Sequence, residues 1–166
     1  SDNSINTSYG KLDETVALSF KTSEPVQTPS TSDVTMGSLT SVTIIPLDDE
    51  GKSWKATGTV PASANGNAAF SITVLDNAGN RGSPKTTTTD QTSVTLDTTA
   101  PTLSSVTLAS NNASTNRAKS GDTLTLAFTS SEPIPAPTVT LAGSAVTATD
   151  TSSGAKTSWQ AVHPVD

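Results

Sequence analysis

Cysteine is absent from this chain of 166 residues, which excludes disulfides and thiolate metal sites. Aromatic residues make up only 4% of it and hydrophobic residues 32%, so a core has to be lean, built from Val, Leu, Ile and Ala. No helical period of apolar residues is present, and no apolar run approaches the roughly 20 residues that a helical membrane span needs. Direct membrane insertion is therefore not expected. Basic residues are scarce, 9 Lys and Arg against 15 Asp and Glu, and they form no stripe that would neutralise phosphates. Nucleic acid is accordingly not an expected partner. No secretory leader is visible, which is also true of any mature fragment. Catalytic motifs are missing too. Neither Gly-x-Ser-x-Gly nor His-Glu-x-x-His occurs, and the single histidine, His163, has no evident partners. The chain is not expected to be an enzyme.

What is present is alternation, and it is spelled twice. Residues 12–26 read LDETVALSFKTSEPV and residues 120–134 read SGDTLTLAFTSSEPI. Phe20 and Phe128, Glu24 and Glu132, and Pro29 and Pro137 are each 108 residues apart. Val34 with Val139, Met36 with Leu141, and Trp54 with Trp159 are 105 apart, so the first copy carries three extra residues between Pro29 and Val34. A period near 105 is too long for a solenoid unit and matches a small domain.

Apolar alternation predicts strands over 15–20, 34–36, 42–45, 54–60, 68–75 and 93–97 in the first copy. In the second it predicts 103–108, 123–128, 138–141, 146–149 and 159–165. Turn chemistry separates them at 48–51, 65–67, 76–80 and 152–154. The fold class expected is all-β: tandem immunoglobulin-like antiparallel β-sandwiches of Greek-key type, the second copy incomplete. The domains expected are 1–97, lacking its first (A) strand, and 98–166, lacking its last (F and G) strands. Such a frame implies a window on a longer array, or strands supplied by neighbouring molecules.

The junction VTLDTTAPTL at 94–103, the loop DNAGN at 76–80 and the paired Ser-Glu-Pro triplets resemble the bacterial immunoglobulin-like repeats of long surface adhesins. These include the extender regions of RTX-type adhesins and related giant non-fimbrial adhesins. The resemblance extends over essentially the whole chain. Antibody hallmarks are missing: there is no Cys pair, and the Trp lies in a different strand. The resemblance implies a tandem array at a bacterial cell surface or in the extracellular space. Its partners would be neighbouring repeats of the same longer chain, with lateral or strand-exchange contacts between copies. It also implies calcium at or near the domain junctions.

In that topology acids converge at one pole of each domain. For the second domain these are Asp97 and Glu132; for the first they are Glu24 and Asp76, with Asn80, and the turn at 65–67 could add carbonyl oxygens. Calcium takes 6–8 oxygen ligands, chiefly carboxylates and carbonyls. Each candidate also has a plainer role open to it. Asp97 can begin a turn, Glu24 and Glu132 can be solvated residues held extended by the following Pro, and Asp76–Asn80 can be a hairpin loop. Trp54 and Trp159 read as core residues rather than a sugar-stacking platform. His163 reads as a packed or edge-strand residue, and Pro164 beside it suggests an edge. Three functions follow: a structural spacer, a glycan- or protein-binding module, or an accessory domain of a secreted enzyme.

Overall fold

The computed structural model describes residues 1–166. The protein is all-β, with thirteen strands and no helix. It separates into two compact units, Ser1–Thr99 and Ala100–Asp166.

Unit 1 contains β1 (Tyr9–Gly10), β2 (Thr15–Lys21), β3 (Val34–Thr35), β4 (Thr40–Pro46), β5 (Ser53–Thr59), β6 (Gly66–Asn67), β7 (Ser71–Ile72) and β8 (Thr95–Leu96). They form three sheets, ordered β2-β5-β4, β3-β7 and β1-β8-β6. The period-2 pattern of β2 sends Val16, Leu18 and Phe20 to one face. Val16 packs there with Ala56 of β5, Val34 of β3 and Leu96 of β8, together with Met36, Leu39, Val60 and Ala64. Leu18, Phe20, Ile72 and Val94 lie at the rim of this cluster and are only half-buried. Gly58 is buried because Leu39 presses on it. A Cβ built there would lie 2.9 Å from the Leu39 Cβ.

Unit 2 contains β9 (Leu103–Ser110), β10 (Thr123–Ser130), β11 (Thr138–Leu141), β12 (Ser144–Asp150) and β13 (Ser158–Pro164). They follow one another in a single hydrogen-bonded order, β11-β12-β13-β10-β9. Phe128, Val139, Ala148, Trp159 and Ala161 form the core, with Leu126, Ile134 and Val146 against it. On the edge strand β9 the apolar side chains stay in solvent: Leu103, Val106 and Leu108 are each more than half exposed.

Several expectations need correction. A short strand, β1, precedes β2 and pairs parallel with β8, so the pairing is not wholly antiparallel. Two residues, one of them Gly, leave no alternation to detect. The stretch 68–75 is not one strand, because its partners change along it. Ala68 bonds to Val94, Ser71–Ile72 pair with β3, Ile72 also bridges to Lys85, and Leu75 bridges to Arg81. Gly66–Asn67 is a strand as well as part of a turn, since it pairs with β8. Strand β13 lies between β10 and β12 over Trp159–Ala161 but has only β10 beside it at residues 162–164, which is the edge position expected around His163 and Pro164. Its pairing with β12 ends at Ala161, so the missing N–H of Pro164 interrupts nothing there.

Candidate functional site

The two Ser-Glu-Pro stretches build the same hydrogen-bonded clasp. In unit 1 the Thr22 N–H donates to the Lys52 carbonyl at 2.9 Å, and its hydroxyl donates to the Glu24 carbonyl at 2.7 Å. In unit 2 the Ser130 N–H donates to the Thr157 carbonyl at 2.8 Å, and its hydroxyl to the Glu132 carbonyl at 2.6 Å. The proline in each triplet has no N–H, so the next donor belongs to the residue after it. Val26 N donates to Gly51 O at 3.1 Å, and Ile134 N to Lys156 O at 3.0 Å. Those same carbonyls accept the indole N–H groups of the buried tryptophans. Trp54 Nε1 reaches Gly51 O at 3.3 Å and Trp159 Nε1 reaches Lys156 O at 3.2 Å. Both acceptor residues have left-handed backbones, Gly51 at φ 70° and Lys156 at φ 56°. The clasp thus joins the end of one strand to the turn before the Trp-bearing strand, and it uses the Glu backbone rather than the Glu carboxylate.

A second repeated device sits at the other end of β2 and β10. Glu14 Oε2 accepts from Asn3 Nδ2 and Lys11 N, both at 2.9 Å. Asp122 Oδ2 accepts from Asn112 Nδ2 at 2.7 Å and Lys119 N at 2.8 Å. Thr15 N donates to Asp2 Oδ1 and Thr123 N to Asn111 Oδ1, each at 2.8 Å. Residues 1–3 therefore play the part of residues 110–112. The spacing there is 109, one off the rest of the repeat, and the match is only Ser-Asp-Asn against Ser-Asn-Asn. That polar triplet is the signal from which the equivalence could have been read.

The candidate calcium ligands fall into different situations. Asp76 and Asn80 close a loop on themselves. Asp76 Oδ1 accepts from Ala78 N at 2.9 Å and Asn80 N at 2.8 Å, while Oδ2 accepts from Asn80 Nδ2 at 2.8 Å. The Asn80 side chain and then its backbone N–H hold the Asp76 carboxyl below the usual aspartate range. Three of the four lone-pair positions of that carboxylate are taken, so the loop keeps its shape without a cation. Glu24 is exposed, and its carboxylate makes no hydrogen bond. Asp97 follows β8 directly, and its Oδ1 accepts from Thr99 N at 3.1 Å, a local Asx turn. The structure brings Asn65 to that turn, its Oδ1 accepting from Thr98 N at 2.9 Å and Thr99 Oγ1 at 3.3 Å. Glu132, in unit 2, is half-buried, and its Oε1 is buried without any hydrogen-bond partner. No three His, Asp or Glu side chains gather at one point.

By donor chemistry, then, Glu24, Asp97 and Glu132 remain open to a hard cation, each taken by itself. Each offers a carboxylate oxygen that no protein donor engages, whereas Asp76 and Asn80 satisfy one another. The tryptophans are core residues, Trp54 being 3% and Trp159 4% exposed. His163 is half-buried opposite Leu124 and occupies the position that Gly58 holds in the first copy. Comparison of the chain with protein-family models, with curated proteins and with solved structures finds no match.

Proposed function

We propose that the chain is a pair of structural extender repeats, tandem immunoglobulin-like sandwiches from a bacterial cell-surface adhesin, that hold a distal binding domain away from the cell. The observation that carries this reading is the repetition of non-catalytic fastenings. The Ser-Glu-Pro clasp with its Trp anchor and the Asn-carboxylate fastening both recur, bond for bond, in the two units. Repeats that reproduce their fastenings while their loop tips diverge suit a mechanical role. With strands of seven or eight residues at about 3.3 Å each, plus loops and linker, each repeat would add roughly 40 Å of reach.

Calcium at the domain poles belongs to this reading, with Asp97 a candidate ligand of unit 1 and Glu132 a separate candidate of unit 2. A bound divalent ion would neutralise acids on a chain whose net charge is −6. The test compares X-ray scattering and thermal melting of the full chain in calcium and in chelator, beside Asp97→Asn. Calcium at a hundredfold excess over its Kd should add about 2.7 kcal/mol of stability and lengthen the particle, with both responses lost in the variant. Melting and scattering curves that ignore calcium would remove the ion from the mechanism.

A second reading, a ligand-binding module, is favoured by two clefts beside β2 in unit 1, of about 800 and 770 Å³.

A further inference from the structure

We propose that Asn65-Gly66 is a latent modification site in unit 1, where the Asn65 amide converts spontaneously to aspartate and isoaspartate once β6 opens from β8. It is the only Asn-Gly pair in the chain. In the reaction the Gly66 backbone nitrogen attacks the Asn65 side-chain carbon Cγ. A bond forms between them, the bond from Cγ to Nδ2 breaks, and ammonia leaves with the proton that Gly66 N gives up. Water then opens the resulting cyclic succinimide at either carbonyl. One opening yields aspartate. The other yields isoaspartate, whose main chain runs through Cγ and is longer by one carbon. Glycine favours the attack because it has no side chain to crowd the nitrogen. Both residues are exposed, and a Cβ built on Gly66 would meet nothing within 4 Å, so water reaches the site.

The fold withholds the nucleophile. Thr95 N donates to Ser8 O at 2.8 Å and Asp97 N to Gly10 O at 2.9 Å, both on the β1 side of β8. Leu96, between them, turns its main-chain groups the other way, toward β6, where it pairs with Gly66. Ala68 N donates to Val94 O at 2.8 Å and carries the same ladder onward. A nitrogen committed to a ladder is not free to attack. The Asn65 side chain is tied as well, since its Oδ1 accepts from Thr98 N at 2.9 Å and Thr99 Oγ1 at 3.3 Å. Yet β6 is only two residues long, the kind of pairing that opens locally without global unfolding.

Conversion alters the fastening from which it starts. Isoaspartate lengthens the main chain just ahead of Gly66, so Gly66 cannot return opposite Leu96 while residue 65 still reaches the turn after β8. Aspartate keeps an acceptor for Thr98 N but adds a negative charge beside Asp97, whose own Oδ1 accepts from Thr99 N at 3.1 Å. Two carboxylates then bear on Thr99 and repel one another. Either product loosens β8 from β6, and Leu96, at the centre of that pairing, is a core residue of unit 1. An opening of β6 from β8 is thus recorded irreversibly in the covalent chain.

The test incubates the full chain in mildly alkaline buffer, folded and in unfolding urea, and follows amide-to-acid conversion by tandem mass spectrometry. Exchange of the Gly66 amide is measured in the same buffers. In urea Asn65 is expected to convert at least tenfold faster than Asn67, Asn77 or Asn80, none of which precedes glycine. In the folded chain its conversion should slow at least tenfold, in proportion to the protection of the Gly66 amide, and both should recover together in sub-denaturing urea. Chains carrying isoaspartate at position 65, refolded from urea, should lose protection at Gly66 and Leu96 and melt lower by Trp54 fluorescence than unmodified chains taken through the same cycle. Equal conversion rates in the folded and unfolded chain overturn the proposal, as does another asparagine leading in urea. Full recovery of protection and melting by the isoaspartate chain also overturns it. The proposal is independent of the spacer reading, and no calcium result bears on it.

Discussion

Replacing Ser130 with alanine tests the clasp where its consequences are easiest to isolate. The side chain is 5% exposed, and its single hydroxyl proton goes to the Glu132 carbonyl at 2.6 Å, with Thr157 O more distant at 3.3 Å. Removing the hydroxyl deletes one hydrogen bond, worth about 1 kcal/mol net, and leaves the Glu132 carbonyl without its protein donor. Partial hydration of that half-exposed residue limits the further cost, so the expected loss is about 1–2 kcal/mol. Unit 2 spans only Ala100–Asp166, and for a domain of that size each kcal/mol moves Tm by about 4–8 °C. The fall should therefore be about 4–16 °C. The protein supplies its own reporters, since Trp54 is the only tryptophan of unit 1 and Trp159 the only one of unit 2. In a Trp54→Phe background, the fluorescence melt of Trp159 reads unit 2 alone, and in a Trp159→Phe background Trp54 reads unit 1. Ser130→Ala should lower the first transition and leave the second in place. A shift of unit 2 below about 1 °C would refute the reasoning, because the clasp would then be geometry without energy.

The remaining tests concern packing and pH. Gly58→Ala puts a methyl 2.9 Å from the Leu39 Cβ, and overpacking of that kind costs about 1–3 kcal/mol, so the urea midpoint of unit 1 read from Trp54 should fall. Acid should destabilise the chain through its fastened aspartates. Asp33, held down first by the Ser30 hydroxyl and then by the Ser30 N–H and Arg81, titrates below the ordinary 3.8, as do Asp48, Asp76, Asp90, Asp122 and Asp150, each through hydrogen bonds from nearby side chains and backbone N–H groups. A depressed carboxyl stabilises the fold above its unfolded value and loses that contribution as pH falls through the folded value. Melting temperature should hold at mildly acidic pH and decline below about pH 4; a rise in that range would contradict the hydrogen-bond assignments.

Legibility in the sequence followed burial. Wherever one face of a strand packs on a core, the alternation showed it: Val16, Leu18 and Phe20 in β2, Leu124, Leu126 and Phe128 in β10, and Val139 with Leu141 in β11. The Trp-bearing strands β5 and β13 were legible for the same reason, and Trp54 and Trp159 are core. What stayed hidden is held by backbone and polar bonds. Tyr9–Gly10 is a strand because β8 accepts it in parallel, and neither residue type advertises that. Ala68 to Leu75 carries a strand-like pattern, but its hydrogen bonds go to different partners in succession, a tertiary fact with no local signature. Among the candidate ligands, residue type marked Glu24, Asp76 and Glu132 as loop residues at strand ends, while Asp97, expected to end a strand, lies just past β8. It could not reveal that Asp76 is occupied by Asn80 or that Asn65 reaches the turn begun by Asp97, since both depend on how loops fold back.

The glutamate of Ser-Glu-Pro shows why repetition alone does not assign a side chain's role. Its carbonyl does the same thing twice, receiving a hydroxyl proton from Thr22 in one unit and from Ser130 in the other. Its carboxylate does not: Glu24 is exposed, while Glu132 hides an oxygen that has no donor. A buried carboxylate oxygen without a partner is costly, and native structures rarely keep one without a compensating ion, water or proton. The backbone role explains why the triplet is written twice, because each clasp needs an extended residue ahead of proline whose carbonyl faces back toward the strand. The two side chains are thus in different surroundings although the backbone does the same work. The backbone clasp and the surroundings of the carboxylate are then separate properties of one triplet, the first shared by both units and the second different in each.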